Sequence, residues 1–202
     1  MLSIASASSI ALASSIVQMR APIVQMQMAK DMPGVTAPFG YFDPLGFAKD
    51  LSPSELMLRR ESELAHGRVA MVGALGFLVQ ESFHPLFSEV DGPAISHLKQ
   101  LTYSSNGQLA FAVMGMAIGF AELARARYGW VAPKDLVEGG SRLQEGYIPG
   151  DLGFDPLGMK PTNSADYLSM QAKELNNGRL AMIAVAGMVG QELATQHGLF
   201  GA

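Results

Sequence analysis

The sequence predicts an all-α membrane protein of three transmembrane helices, the first and third crossed and related by an approximate two-fold axis along the membrane normal. Three observations predict this. Residues 42–81 and 154–192 are two versions of one segment. Each opens on Phe-Asp-Pro-Leu-Gly, continues into a glutamate–arginine cluster (ESELAHGRVAM, then AKELNNGRLAM) and closes on a small-residue apolar run ending in Gln-Glu. A further apolar run, Leu109–Ala121, lies between the copies. The composition is charge-poor: 16% of the residues are charged and 49% hydrophobic, with mean hydropathy +0.19, against ~25% charge in a typical soluble domain.

The first helix is expected near 53–84. Ser52-Pro53-Ser54-Glu55 supplies an N-cap, a proline in the first turn and a glutamate at N3, which is a capping-box pattern. A second helix is expected near 104–127 and a third near 163–192, where Thr162-Asn163-Ser164 offers caps and Asp166 sits in the first turn. Gly92-Pro93 and Trp130–Gly153 read as loops. Asp-Pro-Leu-Gly turns, Asp43–Gly46 and Asp155–Gly158, precede the two copied helices. The apolar runs Val69–Val79 and Leu180–Gly190 alone are shorter than the ~18–20 residues a span needs. From Glu63 to Glu81, however, a helix rises about 27 Å at ~1.5 Å per residue, close to a hydrocarbon core of ~30 Å. The two copies then run in one direction, with the middle helix returning, and form a parallel repeat.

Residues 31–202 have the length of one compact domain. Met1–Lys30 differs from the rest: it is rich in Ser and Ala, its only basic residues are Arg20 and Lys30, and its first acid comes after it, at Asp31. That pattern fits an organellar targeting segment or a disordered tail rather than a folded element. The net charge of −4 argues against a nucleic-acid partner. The absence of cysteine excludes disulfides, thiolate zinc sites and iron–sulfur ligation.

The charged residues at the mouths of the copied helices need partners. Glu63 and Arg68 are five apart, about 140° around a helix, too far for an i,i+4 pair, and Glu174 and Arg179 repeat the mismatch. Two crossed helices solve it reciprocally, Glu63 with Arg179 and Glu174 with Arg68, since an unpaired charge there costs several kcal/mol. Ala70, Gly73 and Gly76, with Ala181, Ala184 and Gly187, are small and spaced by three, and are expected to line the close approach.

Helix locking leaves His66, Asn177, Gln80 and Gln191 unexplained. In each copy the two polar residues are fourteen apart, about 21 Å along a helix and within ~40° of one face. Polar groups in lipid need partners. An imidazole, amide oxygens and the second oxygen of a paired glutamate are good axial ligands for Mg²⁺. A Mg²⁺ held in a flat apolar macrocycle would satisfy them and cover the helix.

ELAHGRVAM and ELNNGRLAM, each preceded by FDPLG and set around a middle helix bearing Glu122 and Arg125, resemble the chlorophyll-binding light-harvesting antenna family over roughly residues 38–195. The resemblance implies that Glu63, His66, Glu174, Asn177 and Gln191 are chlorophyll magnesium ligands. Gln80 occupies a position that ligates in the chlorophyll a/c branch. Glu122 matches the middle-helix ligand, with Arg125 as its charge partner, and magnesium is held only through chlorophyll. Asp43-Pro44-Leu45 and Asp155-Pro156-Leu157 resemble turns that cradle the ends of two central carotenoids. Met114 stands where green-plant antennae often have glutamine, and Gln108 is a candidate substitute one helix end away. His197 lies too close to Gln191 to be the C-terminal histidine ligand of green-plant antennae. The short C-terminal stretch, the short loops and Gln80 resemble fucoxanthin- or peridinin-type antennae binding chlorophyll a and chlorophyll c.

Several residues have plainer readings. His84 and His97 read as surface residues, and the methionines as adaptable packing. Tyr128 and Trp130 read as interface anchors. Glu81 and Glu192 are expected to end their spans in the polar zone. The implied function is a multi-pass thylakoid antenna of plastids, not an enzyme, with no small-molecule substrate. It transfers excitation energy to a photosystem core among thylakoid lipids and other antenna subunits. The alternatives are a photoprotective, energy-dissipating relative and a small transporter. The transporter predicts midplane helix breaks, whereas the apolar runs contain no proline.

Overall fold

A computed structural model describes residues 29–81, 83, 85, 92–136 and 141–200. His84 and all of the expected leader before residue 29 lie outside the described residues. The fold is helical: α1 is Pro53–Gln80, α2 Ala94–Tyr103, α3 Ser105–Gly129 and α4 Ser164–Thr195. A 3₁₀ turn, Pro133–Asp135, follows α3.

The capping box forms as its sequence dictates. Glu55 N donates to Ser52 Oγ at 3.3 Å and Ser52 N donates to the Glu55 carboxylate at 2.7 Å. α1 stops at Gln80, short of the expected 84, with Glu81 as its C-cap. Asn163 caps α4 by accepting from Ala165 N at 3.2 Å, and α4 closes with Gln196 in the left-handed region. α2 is absent from the sequence expectation. Its ten residues carry no side-chain cap, so local signals are weak, and tertiary contacts to α4 described below hold its first turn.

α1 and α4 pack on one another and come closest at Gly67 and Gly178. A Cβ built on Gly67 would lie 3.0 Å from the Cα of Gly178, and one on Gly178 would lie 2.9 Å from the Cα of Gly67. The small-residue expectation is therefore corrected. Gly73 would only touch Val185 at 3.8 Å, and Gly76 and Gly187 meet nothing within 4 Å. The tightest approach therefore lies inside the charged cluster rather than along the apolar run.

α3 stands differently. Among the described residues it is the one helix long and apolar enough to cross a membrane by length and composition, and its apolar window holds no buried residue. Its C-terminal end is closed by the following loop. Gln144 Nε2 donates to the carbonyls of Arg127 and Trp130, each at 3.0 Å, and Val131 N donates to Arg142 O at 2.9 Å.

Candidate functional site

The charged mouths of α1 and α4 are joined reciprocally. Arg68 Nε donates to Glu174 Oε1 at 2.7 Å and Arg179 Nε donates to Glu63 Oε1 at 2.7 Å. The symmetry extends to the backbone. Arg68 also donates to Gly150 O at 2.8 Å, and Arg179 to Gly34 O at 2.7 Å. Each arginine thus ties the opposite helix to the segment that leads into a repeat.

Among the differences between the copies are one base and one acid. Arg60 Nη1 lies 3.5 Å from the remaining oxygen of Glu63, while the corresponding residue of the second copy is Gln171. Glu61 is 2% exposed and has Ala172 at its counterpart position. It accepts from Arg125 Nε at 2.7 Å, from Gly150 N at 2.6 Å and from the Tyr147 hydroxyl at 3.1 Å. Arg125 does reach Glu122, at 3.1 Å, but its shorter bond is to Glu61. The sequence reading named only Glu122 and missed Glu61, although an acid in one copy facing alanine in the other was a usable signal. This knot ties the C-terminal end of α3 to α1 through the Arg125–Glu61 pair. Gly150 has to be glycine there: its φ is +83° and a Cβ would sit 2.7 Å from Leu64 Cδ1. Burial, followed by the Glu61 carboxylate, pushes the Tyr147 phenol up to about 12.

The two Asp-Pro-Leu-Gly turns have one geometry. Asp43 accepts from Phe47 N at 2.9 Å and Ala48 N at 3.0 Å, and Asp155 from Met159 N at 3.0 Å and Lys160 N at 2.9 Å. The N–H of Ala48 holds the Asp43 carboxyl below its ordinary value, and the N–H of Lys160 does the same for Asp155. Pro44, Leu45, Pro156 and Leu157 are exposed beside them. Each turn borders a cleft against the helix pair. One, of about 1220 Å³, is lined by Asp43, Phe47, Glu63 and Arg179. The other, of about 710 Å³, is lined by Asp155, Phe154, Arg68 and Glu174.

His66, Asn177, Glu122 and Gln191 are exposed, among exposed apolar neighbours such as Val69, Leu180 and Ile183. His66 Nδ1 is 2.8 Å from the Ser62 carbonyl. The Nδ1–H therefore donates there and the Nε2 lone pair faces outward, as an imidazole ligand requires. Gln80 Nε2 donates to Ala94 O at 3.3 Å, and Gln108 Nε2 to Thr102 O at 2.9 Å. Each amide thereby has its nitrogen tethered.

Two expectations fail at the opposite end. His97 is not a surface residue: it is 4% exposed and its Nε2 lies 2.8 Å from Gly92 O. α2, unforeseen, folds it inward. Glu192 is not in a polar zone either. It is 1% exposed and accepts from Ile95 N at 2.7 Å, because α2 covers it. Glu81 accepts from Leu199 N at 2.8 Å and Phe200 N at 3.3 Å.

Residues 28–193 match the family model described as chlorophyll A-B binding protein. The chain belongs to this family. The chain is 50% identical over 178 residues to light-harvesting complex stress-related protein 3.1 of Chlamydomonas reinhardtii, covering 85% of this chain and 66% of the relative. It is 48% identical over 179 residues to a fucoxanthin-chlorophyll a-c binding protein of Isochrysis galbana, covering 85% and 84%. It is 32% identical over 166 residues to a chlorophyll a-b binding protein of Petunia hybrida, covering 78% and 59%. The chain thus spans just under two thirds of the length of the stress-related relatives. All three relatives are named as chloroplastic.

Proposed function

We propose that the protein is a multi-pass antenna of the plastid thylakoid, binding chlorophylls and carotenoids and passing excitation to a photosystem. In this reading α1, α3 and α4 span the membrane, and α1 and α4 cross about a pseudo-two-fold axis along its normal. The observation that carries the reading is the display of lone magnesium-type donors on apolar helix faces that protein leaves uncovered. Among the described residues no three His, Asp or Glu side chains gather to hold a bare ion. A single donor per site suits a metal that brings its own equatorial ligands, since Mg²⁺ otherwise demands near-octahedral coordination.

Chlorophyll, when bound, absorbs light and exchanges excitation with its neighbours. The chain's task is to hold it. Glu174 gives one oxygen to Arg68 and would offer the other to the metal, whereas Glu63 would offer an oxygen that also lies 3.5 Å from Arg60. His66 and Asn177 ligate one turn further on, Gln80 and Gln191 near the opposite surface, Glu122 on α3 and Gln108 at its start. The two clefts receive carotenoid ends against the Asp43 and Asp155 turns, whose ring-shaped hydrogen bonding keeps them rigid. The likeness to the Isochrysis protein, together with Gln80 and Met114, supports chlorophyll a with chlorophyll c and a fucoxanthin- or peridinin-type carotenoid. Thylakoid lipids, other antenna subunits and the photosystem core are the partners.

Refolding the full chain with chlorophyll a, chlorophyll c and fucoxanthin tests this. Exciting the carotenoid and chlorophyll c should yield chlorophyll a emission; emission restricted to the directly excited pigment would refute it. A second reading, dissipation rather than delivery, is favoured by the 50% identity to the stress-related proteins. Chlorophyll excited-state lifetimes at neutral and acidic pH separate the two: shortening under acid supports dissipation, and an unchanged long lifetime supports harvesting.

A further inference from the structure

We infer that Glu192 of α4 is a positioning residue for Gln80 of α1, acting across the helix pair through the first turn of α2. The inference rests on reading Gln80 as a magnesium ligand. α2 starts at Ala94 without a side-chain cap, so its leading N–H groups need outside acceptors. Glu192 supplies one. Ile95 N donates to its Oε2 at 2.7 Å, and the N–H of Ala94 faces the carboxyls of both Glu192 and Glu81. The positive end of α2 favours that carboxylate further. Glu192 is 1% exposed, and its Oε1 receives no donor among the described residues. A carboxyl so placed is costly; besides its contact with the Glu81 carboxyl, it secures the start of α2.

That start in turn orients Gln80. The carbonyl of Ala94, the residue next to Ile95, accepts the Gln80 side-chain N–H at 3.3 Å. An amide has one donor end and one acceptor end, and only the oxygen can ligate magnesium. Fixing the nitrogen on Ala94 fixes which way the oxygen points. The path Glu192, Ile95, Ala94, Gln80 therefore carries orientation from α4 to a ligand on α1. The repeat does not copy it. Glu81 grips Leu199 and Phe200 in the corresponding manner, but among the described residues the amide of Gln191 has no comparable tether. The Gln80 site is pre-oriented and the Gln191 site is not.

The test uses the full chain refolded with chlorophyll a, chlorophyll c and fucoxanthin, read by pigment stoichiometry and low-temperature absorption difference spectra. Gln80→Leu and Gln191→Leu first assign one band each. Glu192→Met, which keeps volume and removes the acceptor, should weaken retention at the Gln80 band about tenfold, the usual scale for loss of an outer-shell partner, and spare the Gln191 band. Glu192→Gln, which keeps an acceptor oxygen, should restore the Gln80 band. The double variant with Gln80→Leu should lose no more than Gln80→Leu alone. An unchanged Gln80 band in Glu192→Met, or loss confined to the Gln191 band, overturns the inference. If Glu192→Met yields no pigmented protein, Glu192→Asp withdraws the carboxyl from Ile95 by one methylene; a weakened Gln80 band is expected and an unchanged one overturns the inference. If Gln80→Leu removes no chlorophyll, the ligand reading of Gln80 falls instead.

Discussion

Arg68→Leu removes one half of the reciprocal lock. Arg68 gives up a 2.7 Å bond to Glu174 and a 2.8 Å bond to the Gly150 carbonyl, and Glu174 is left as an unpaired carboxylate beside an apolar cleft. In the protein alone the two side chains are 41% and 34% exposed, so the pair lies between two regimes. An exposed pair is worth ~0.2–1 kcal/mol and breaking a buried one costs ~3–5 kcal/mol. A loss of about 2–3 kcal/mol follows, which for a chain of this size lowers the melting temperature by about 4–12 °C. The assay is thermal denaturation of refolded pigment–protein, followed by pigment circular dichroism, with pigment stoichiometry. The reciprocal geometry adds a sharper expectation: the chlorophyll lost first is the one at Glu174, on the other helix. Loss at the Glu63 site alone would refute the cross-helix reasoning, and an unchanged melting temperature would refute the magnitude.

Gly178→Ala places a methyl 2.9 Å from the Gly67 Cα and should cost ~1–3 kcal/mol by overpacking, whereas Gly187→Ala meets nothing within 4 Å and should be neutral or stabilising by up to ~1 kcal/mol; thermal melts compare them. Tyr147→Phe removes one bond to Glu61 and should cost about 1 kcal/mol. Because the Tyr147 pKa is raised to about 12, its contribution is present below its unfolded value of 10 and lost as pH rises through about 12; ultraviolet titration should show no Tyr147 phenolate near pH 10. Asp155 has a lowered pKa, chiefly through the Lys160 N–H, so its contribution is present above the ordinary carboxylate range and lost as acid protonates it; Asp155→Ala should abolish that acid sensitivity and reduce carotenoid content, measured by pigment chromatography.

The repeat made much of the site legible. A five-residue glutamate–arginine spacing cannot close on one helix, so the partner had to be the other copy, and the four residues meet as that spacing demands. The turns were legible because Asp-Pro-Leu-Gly carries its own hydrogen-bonding geometry. What escaped was set by long-range packing. Glu61 was not singled out in the sequence, and its three partners, Arg125, Tyr147 and Gly150, give it a role. α2 is short and uncapped, so nothing local announced it, and His97 and Glu192 were misread with it. The small-residue run was read as a contact stripe, but the tightest approach falls at one pair of glycines, Gly67 and Gly178, and Gly76 and Gly187 meet nothing within 4 Å.

The most direct test is to isolate the protein from its native membrane and extract what it carries. Several chlorophylls per chain are expected, chlorophyll a with chlorophyll c, together with a fucoxanthin- or peridinin-type carotenoid. Chlorophyll b in place of chlorophyll c would refute the a/c assignment, and a chain isolated intact without chlorophyll would refute the antenna function itself.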